Sequence, residues 1–276
     1  GGASGMLAAL CLADAGVKDV LILERNDRLG RKLSATGNGQ GNVTNADMGA
    51  EHYFSSDAEK VGKILGAFGK EELLRYLTSL GGYFTADDEG RVYPASRQAA
   101  SVTDILRFAL GARGVCVRTG ECVLSAKKQN GAFAVRTDKG TYRARFLLIA
   151  AGGKASPHFG SDGNGYMLAK GFGHSVTELS PALVQLKTER ECIKGLKGMR
   201  ICCGAQLIRG GKELYACRGD VIFTDYGVSG NAVFKISSRA REGDVLSLDF
   251  LPECDQNELA AILRRKAAAF ASLPSE

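Results

Sequence analysis

Small and apolar residues fill positions 4–16 (SGMLAALCLADAG) at helical spacing and stop at Gly16, which predicts a helix. Residues 19–23 (DVLIL) are a short apolar run closed by Glu24, the pattern of a strand buried on both faces of a parallel sheet. Residues 25–47 are polar and rich in Gly, Asn and Thr, and predict a long loop. Helices are expected at about 57–67, 70–80 and 101–112, with a hairpin over 82–97 that turns at Asp88-Glu89-Gly90. From 115 to 150 short β-type runs follow one another (VCVRT, ECVLSA, GAFAVRT, TYRAR, FLLIA), with turns at Asn130-Gly131 and Lys139-Gly140. This predicts a β-meander feeding a parallel strand, Phe146–Ala150, that ends at Ala151-Gly152-Gly153. A short helix is expected at 164–172, strands through 183–251 interrupted by a small-residue helix near 229–238, and a helix over 255–272.

The pattern therefore reads as an α/β region to about residue 182, a more β-rich region to about 252, and a helix beginning at the end. Composition agrees with a globular chain. Of 276 residues, 45% are hydrophobic and 24% charged, ordinary values that exclude a fibrous or disordered protein. Glycine, at 36 residues, is unusually frequent, as expected where the chain turns tightly or lets something approach its backbone. The net charge of +6 is dispersed. The densest groups, such as Arg31-Lys32 and Arg264-Arg265-Lys266, form no long basic block and no aromatic residues alternate with them, so no nucleic-acid partner is expected. The eight cysteines match neither a zinc pattern nor a C-x-x-C pair, and read as free thiols of a cytoplasmic protein; no metal site and no membrane span are expected.

The chemistry begins at residue 1. Gly1-Gly2-Ala3-Ser4-Gly5 is a glycine turn opening a helix, whose free N–H groups and partial positive charge suit a diphosphate. Glu24 ends the next apolar strand, where a dinucleotide-binding unit places the acid that accepts from the adenosine ribose hydroxyls. The loop Gly30–Asn45 (GRKLSATGNGQGNVTN) then supplies backbone donors, two cations and many amide groups, a set suited to a diphosphate and a polar heterocycle. The motifs of common serine hydrolases, zinc proteases and P-loop enzymes do not occur.

These stretches, with Gly90–Ser96 (GRVYPAS), the glycine-rich run from Ala150 to His174 and, more loosely, Phe223–Gly230, resemble the bacterial flavoprotein family that includes aminoacetone oxidase and a flavin-dependent bile-acid reductase. The resemblance implies an α/β fold, with a Rossmann-like FAD/NAD(P)-binding domain carrying a β-meander (1–184) and an inserted domain, β-rich to about 252 and then helical (185–276). It further implies an FAD-dependent oxidoreductase acting on a small organic molecule, with NAD(P)H as electron donor. It carries the cofactor site onto Gly2, Ala3, Ser4, Gly5, Glu24, Arg25, Arg31, Lys32, Leu33, Asn42, Thr44, Val123, Ala151, Gly152 and Gly153, Cys122-Val123 meeting the adenine by backbone. It assigns no catalytic residue. This chain departs from the family at Gln40-Gly41 (Arg-Cys in the family), Asn164 (Asp), Asp225 (His) and Asn231 (Pro). Family members are longer at both ends, so the chain reads as clipped, with the first strand of the sheet expected before Gly1 and an incomplete flavin site in the chain alone. The rival readings are an NAD-only dehydrogenase, against which the 30–45 loop argues, and a flavin-bearing nucleic-acid-binding or RNA-modifying protein.

Overall fold

The computed structural model describes residues 1–53, 55 and 57–270. It divides into two compact units, Gly1–Glu178 and Leu179–Glu276. In the first, α1 (Ala3–Asp14) leads into β1 (Leu21–Leu23) and then β2 (Thr44–Asn45). Helices α2 (Ala58–Ala67) and α3 (Lys70–Ser79) follow, then the hairpin β3 (Phe84–Ala86) and β4 (Arg91–Pro94), and helix α4 (Ala99–Ala112). The unit continues with β5 (Cys116–Arg118), β6 (Val123–Gln129), β7 (Ala132–Thr137), β8 (Thr141–Ala144) and α5 (Asn164–Gly171).

α1 is built of Ala, Leu and Met, strong helix formers, and buries Met6, Ala9 and Leu10. These meet Ile22 of β1, Leu29, Leu77 of α3, and Leu106, Ala109 and Leu110 of α4 in one core. Each of the Leu, Ile and Met side chains removed from water contributes roughly 1.5–3 kcal/mol. Leu106→Ala, at a site 1% exposed, costs about 2–5 kcal/mol through lost contacts and the cavity left behind. α2 and α3 start where their sequences cap them: Asp57 accepts from the Lys60 N–H, and Glu72 reaches back to the Gly69 N–H.

β1 and β5 pair in parallel, Leu21 opposite Cys116 and Leu23 opposite Arg118, and α4 covers them from the connection between the two strands. This corrects one sequence expectation. Residues 116–118 belong to the parallel sheet, while the meander is three-stranded, in the order β6-β7-β8. A second correction concerns Phe146–Ala150. A strand needs a neighbour to take up its N–H and C=O groups, and among the described residues none runs beside this segment, which is not a strand. Phe146 and Leu148 are 83% and 63% exposed. A third concerns the 25–47 loop, which carries a 3-10 turn at Leu33–Gly39 and then β2, antiparallel to β4. The Asn130-Gly131 turn joins β6 to β7 with positive φ at both residues, as its sequence predicts.

The second unit is a five-stranded sheet and two helices: β9 (Leu186–Lys187), β10 (Arg200–Arg209), β11 (Lys212–Phe223), β12 (Gly227–Ser229), α6 (Asn231–Ser237), β13 (Val245–Asp249) and α7 (Gln256–Phe270). The strand order is β13-β10-β11-β12-β9, with β10 and β11 forming a long antiparallel hairpin around Gly210-Gly211. The inward residues Cys203, Ala205, Leu207 and Val221 pack on Ala232, Val233 and Ile236 of α6. Cys202 and Cys203 point to opposite faces, one exposed and one buried, and all eight cysteines are free thiols. Residues 271–272 of the predicted last helix lie outside the described residues. Among the described residues no helix is long and apolar enough to cross a membrane.

Candidate functional site

The glycine turn and Glu24 meet at the carboxyl ends of the parallel strands. Glu24 follows β1 directly, its N–H bonding to the Arg118 carbonyl at the end of β5. Its carboxylate, 13% exposed, stands 3.0 Å from the Gly1 nitrogen through Oε2. A Cβ on Gly1 would lie 2.6 Å from that oxygen and 2.5 Å from Leu29 Cδ2, so a side chain here would have to push both aside. Gly2 caps α1 without a side-chain hydrogen bond, and the first turn contains no acid. The N–H groups of Ala3, Ser4 and Gly5 are thus the unpartnered first donors of a twelve-residue helix, at its positive end.

Gly30 closes the turn from the other side. Its N–H donates to the Gly1 carbonyl at 2.8 Å and its carbonyl accepts from Ser34. With φ at +73° and Thr103 against its α-carbon, a side chain here would be both strained and crowded.

Two charged side chains on the segment after β1, Arg25 and Lys32, reach residues 155–162, and a third, Arg31, stays on its own loop. Arg25 Nη1 donates to Asp162 Oδ2 at 2.6 Å and to the Gly160 carbonyl at 3.3 Å, while Nη2 points to Cys122 Sγ at 3.3 Å. The Asp162 bond, then Cys122, raise the guanidinium pKa; the same bond, helped by the Asn164 N–H, holds the Asp162 carboxyl below the usual range. Arg31 and Lys32 instead donate to neutral oxygens, Asn26 Oδ1 at 3.2 Å and the Ala155 carbonyl at 2.8 Å. Neither bond compensates the positive charge of its donor.

Val123 opens β6 beside the acid, because the Glu121 N–H bonds to the Glu24 carbonyl at 2.9 Å. Its own carbonyl accepts from Asn164 Nδ2 at 3.0 Å. An ionised Asp, the family's residue at this place, could not make that bond. Ala150 lies against Gly5, where a Cβ would approach its methyl to 3.3 Å. Gly152, at φ +77°, turns the chain next to Ser161, and Gly165 of α5 packs on Ala151. The segment from Ala151 to Gly153 is thereby held between the glycine turn and the start of α5.

Other residues singled out by the sequence sit differently. Leu33 packs on the core of the first unit. Asn42 lies under Gly37, and Thr44 is buried in β2 with its hydroxyl on Met48 Sδ. Thr44 pairs with Val92 of β4, which anchors this end of the loop on the sheet β2-β4-β3. Arg91 is tied to Asp87 at 2.9 Å and Glu89 at 3.0 Å, and fastens its own hairpin. Lys197 pairs with Asp225 at 2.9 Å. Sequence reasoning missed Asn26 and Asp162. Asn26 has one local sign, its place two residues after the acid; Asp162 has none, since its partner is 137 residues away.

Residues 1–242 match the family described as "HI0933-like protein Rossmann domain". The chain is 38% identical over 266 residues to the 3-dehydro-bile acid delta(4,6)-reductase of Clostridium scindens, an alignment covering 94% of this chain and 65% of that protein. It is 26% identical over 254 residues to the ribosomal RNA dihydrouridine synthase of Escherichia coli, covering 92% of this chain and 63% of that one. The chain thus spans slightly less than two thirds of the length of these relatives. Among solved structures, glycine oxidase from Geobacillus kaustophilus is similar with a TM-score of 0.40 and 14% identity, over 97% of this chain and 75% of that one. With a family match over most of its length and a parallel βαβ core that presents a glycine turn to a strand-end acid, the chain belongs to the HI0933-like Rossmann domain family.

Proposed function

We propose that the protein is an FAD-dependent oxidoreductase working as a reductase on a small organic molecule, with NAD(P)H as electron donor. The observation that carries this reading is the uncapped, acid-free N-terminus of α1 set against the Glu24 carboxylate, with Gly1 close against that carboxylate. That arrangement fits a dinucleotide. Gly2, Ala3, Ser4 and Gly5 would hold the diphosphate, Glu24 the adenosine ribose, and Val123 the adenine by backbone. Arg31, Lys32 and the Ala151–Gly153 turn would complete the polar surround, and Arg25 would fix the loop across from them. Asn42 and Thr44 are proposed to act from further along the same loop.

FAD, when bound, supplies the hydride or electron transfer. The protein's part is to bind, orient and screen it. The reductive direction is supported by the names of both relatives: one is a reductase, and the other makes dihydrouridine, a reduced uridine. The test is spectroscopic. The purified protein is expected to carry or take up a yellow flavin that bleaches with NADH or NADPH. A colourless protein with no flavin uptake on reconstitution would refute the cofactor. Bleaching by dithionite alone would remove NAD(P)H as donor.

The relation to a ribosomal RNA dihydrouridine synthase favours a second reading, in which the reduced substrate is a base in RNA. RNA affinity falling steeply with salt would select it; affinity that is absent at low salt would leave the small molecule.

A further inference from the structure

The Glu24 carboxylate is nearly saturated before any ligand arrives. A carboxylate offers about four acceptor positions, two on each oxygen. Oε1 accepts from both the backbone N–H and the Nδ2 of Asn26, each at 2.8 Å. Oε2 faces the glycine turn and has one partner, the Gly1 nitrogen at 3.0 Å. One acceptor position remains, on Oε2. Asn26 is itself held on three sides. Its Nδ2 also donates to the Phe159 carbonyl at 3.2 Å, its Oδ1 accepts from Arg31, and Gly160 packs so closely on it that a Cβ there would lie 2.8 Å from Nδ2.

We infer that Asn26 is a positioning residue for ribose recognition: it fills Oε1 and locks the carboxylate so that the single free acceptor of Oε2 faces the turn. The inference rests on the dinucleotide reading of this site. It goes beyond that reading in making the discrimination between a ribose and a deoxygenated sugar depend on a side chain that need not touch the nucleotide. Without the Asn26 amide, Oε1 keeps only the backbone donor, and the carboxylate can swing to offer either oxygen in several poses. Selectivity for the hydroxyls then falls, while the diphosphate contacts, made by α1, are unchanged.

The experiment measures the dissociation constants of ADP and of 2′,3′-dideoxy-ADP by calorimetry for the wild-type protein and for Asn26→Ala, with circular dichroism to verify the fold. The wild type is expected to prefer ADP by about tenfold or more, as for a hydrogen bond to a charged acceptor. Asn26→Ala is expected to narrow that ratio to less than about threefold, with the dideoxy-ADP constant within about twofold of wild type. Should Asn26→Ala not fold, Asn26→Asp, which keeps the shape and loses the amide donor, is expected to narrow the ratio likewise. A variant that folds and keeps the wild-type ratio overturns the role of Asn26 while the ribose site stands. Equal weakening of both ligands also overturns it, since that is the signature of a residue that only braces the loop. A wild-type protein that does not distinguish the two ligands overturns the ribose assignment itself, and the inference with it.

Discussion

Gly30→Ala offers a quantitative test of how the glycine turn is closed. Two costs follow from the geometry. The first is backbone strain: φ at +73° is a left-handed conformation, which costs a residue with a Cβ roughly 1–2 kcal/mol. The second is steric. The new methyl would overlap Thr103 Cγ2 and stand 3.2 Å from its Oγ1. Thr103 is only 3% exposed, and its hydroxyl is engaged with Ser34 and the Ala99 carbonyl. Overpacking at such a site costs about 1–3 kcal/mol, so the variant is expected to lose about 2–5 kcal/mol in all. The two costs separate in a double-mutant cycle. Thr103→Ser removes the obstructing methyl, keeps the hydroxyl, and alone costs about 0.8 kcal/mol. In the double variant the clash is gone and the strain stays, so the combined loss is expected to be smaller than the sum of the two singles by about 1–3 kcal/mol. Urea unfolding followed by circular dichroism gives each value. Strict additivity, or a Gly30→Ala protein as stable as wild type, would show that Thr103 does not confine this turn.

Glu24→Ala is expected to weaken FAD binding by about 1–3 kcal/mol, through loss of a charged acceptor for the ribose; unchanged affinity in a fluorescence titration would remove Glu24 from the site. Asn164→Asp sets a carboxylate against the Val123 carbonyl, 3.0 Å from the present amide, and is expected to cost about 1–3 kcal/mol in thermal unfolding at pH 7. A partial recovery near pH 4, where the acid can donate, would identify the lost donor as the cause. Asp14 accepts from Arg113 Nε and Tyr76 OH, which together hold its carboxyl below the ordinary value. A depressed pKa contributes stability that is present above the unfolded value and is lost as pH falls through the folded one. The urea midpoint of the wild type should therefore drop more between pH 5 and pH 2 than that of Asp14→Asn, and parallel curves would count against the pairing.

The parts of the fold fixed by local pattern were legible in the sequence. α1 follows from an Ala/Leu/Met run, β1 from LIL before an acid, and the β6-β7 turn from Asn130-Gly131. So was the meeting of the glycine turn with Glu24, because it depends on a βα turn and a strand of ordinary length. What was not legible depends on partners remote in sequence. Residues 146–150 have the composition of a buried strand, but pairing makes a strand, and no local pattern states who the partner is. Residues 116–118 look like the first strand of the meander and pair instead with β1, ninety-five residues earlier, because α4 carries the chain back across the parallel sheet. Asn26 looked like any polar residue of a loop. Its importance appears only when Phe159 and Glu24 are both beside it.

The bonds from Arg25, Asn26 and Lys32 to residues 155–162 span 123 to 137 positions of the chain. The first of them to form must close a loop of that size, at an entropic cost on the order of 4 kcal/mol. Those that follow close almost nothing further. The clasp is therefore expected to form cooperatively and late in folding, after the local helices and hairpins. Once formed, it should hold when any one of its links is cut. Refolding kinetics would thus report the nucleotide-binding face as the last part of the first unit to become native.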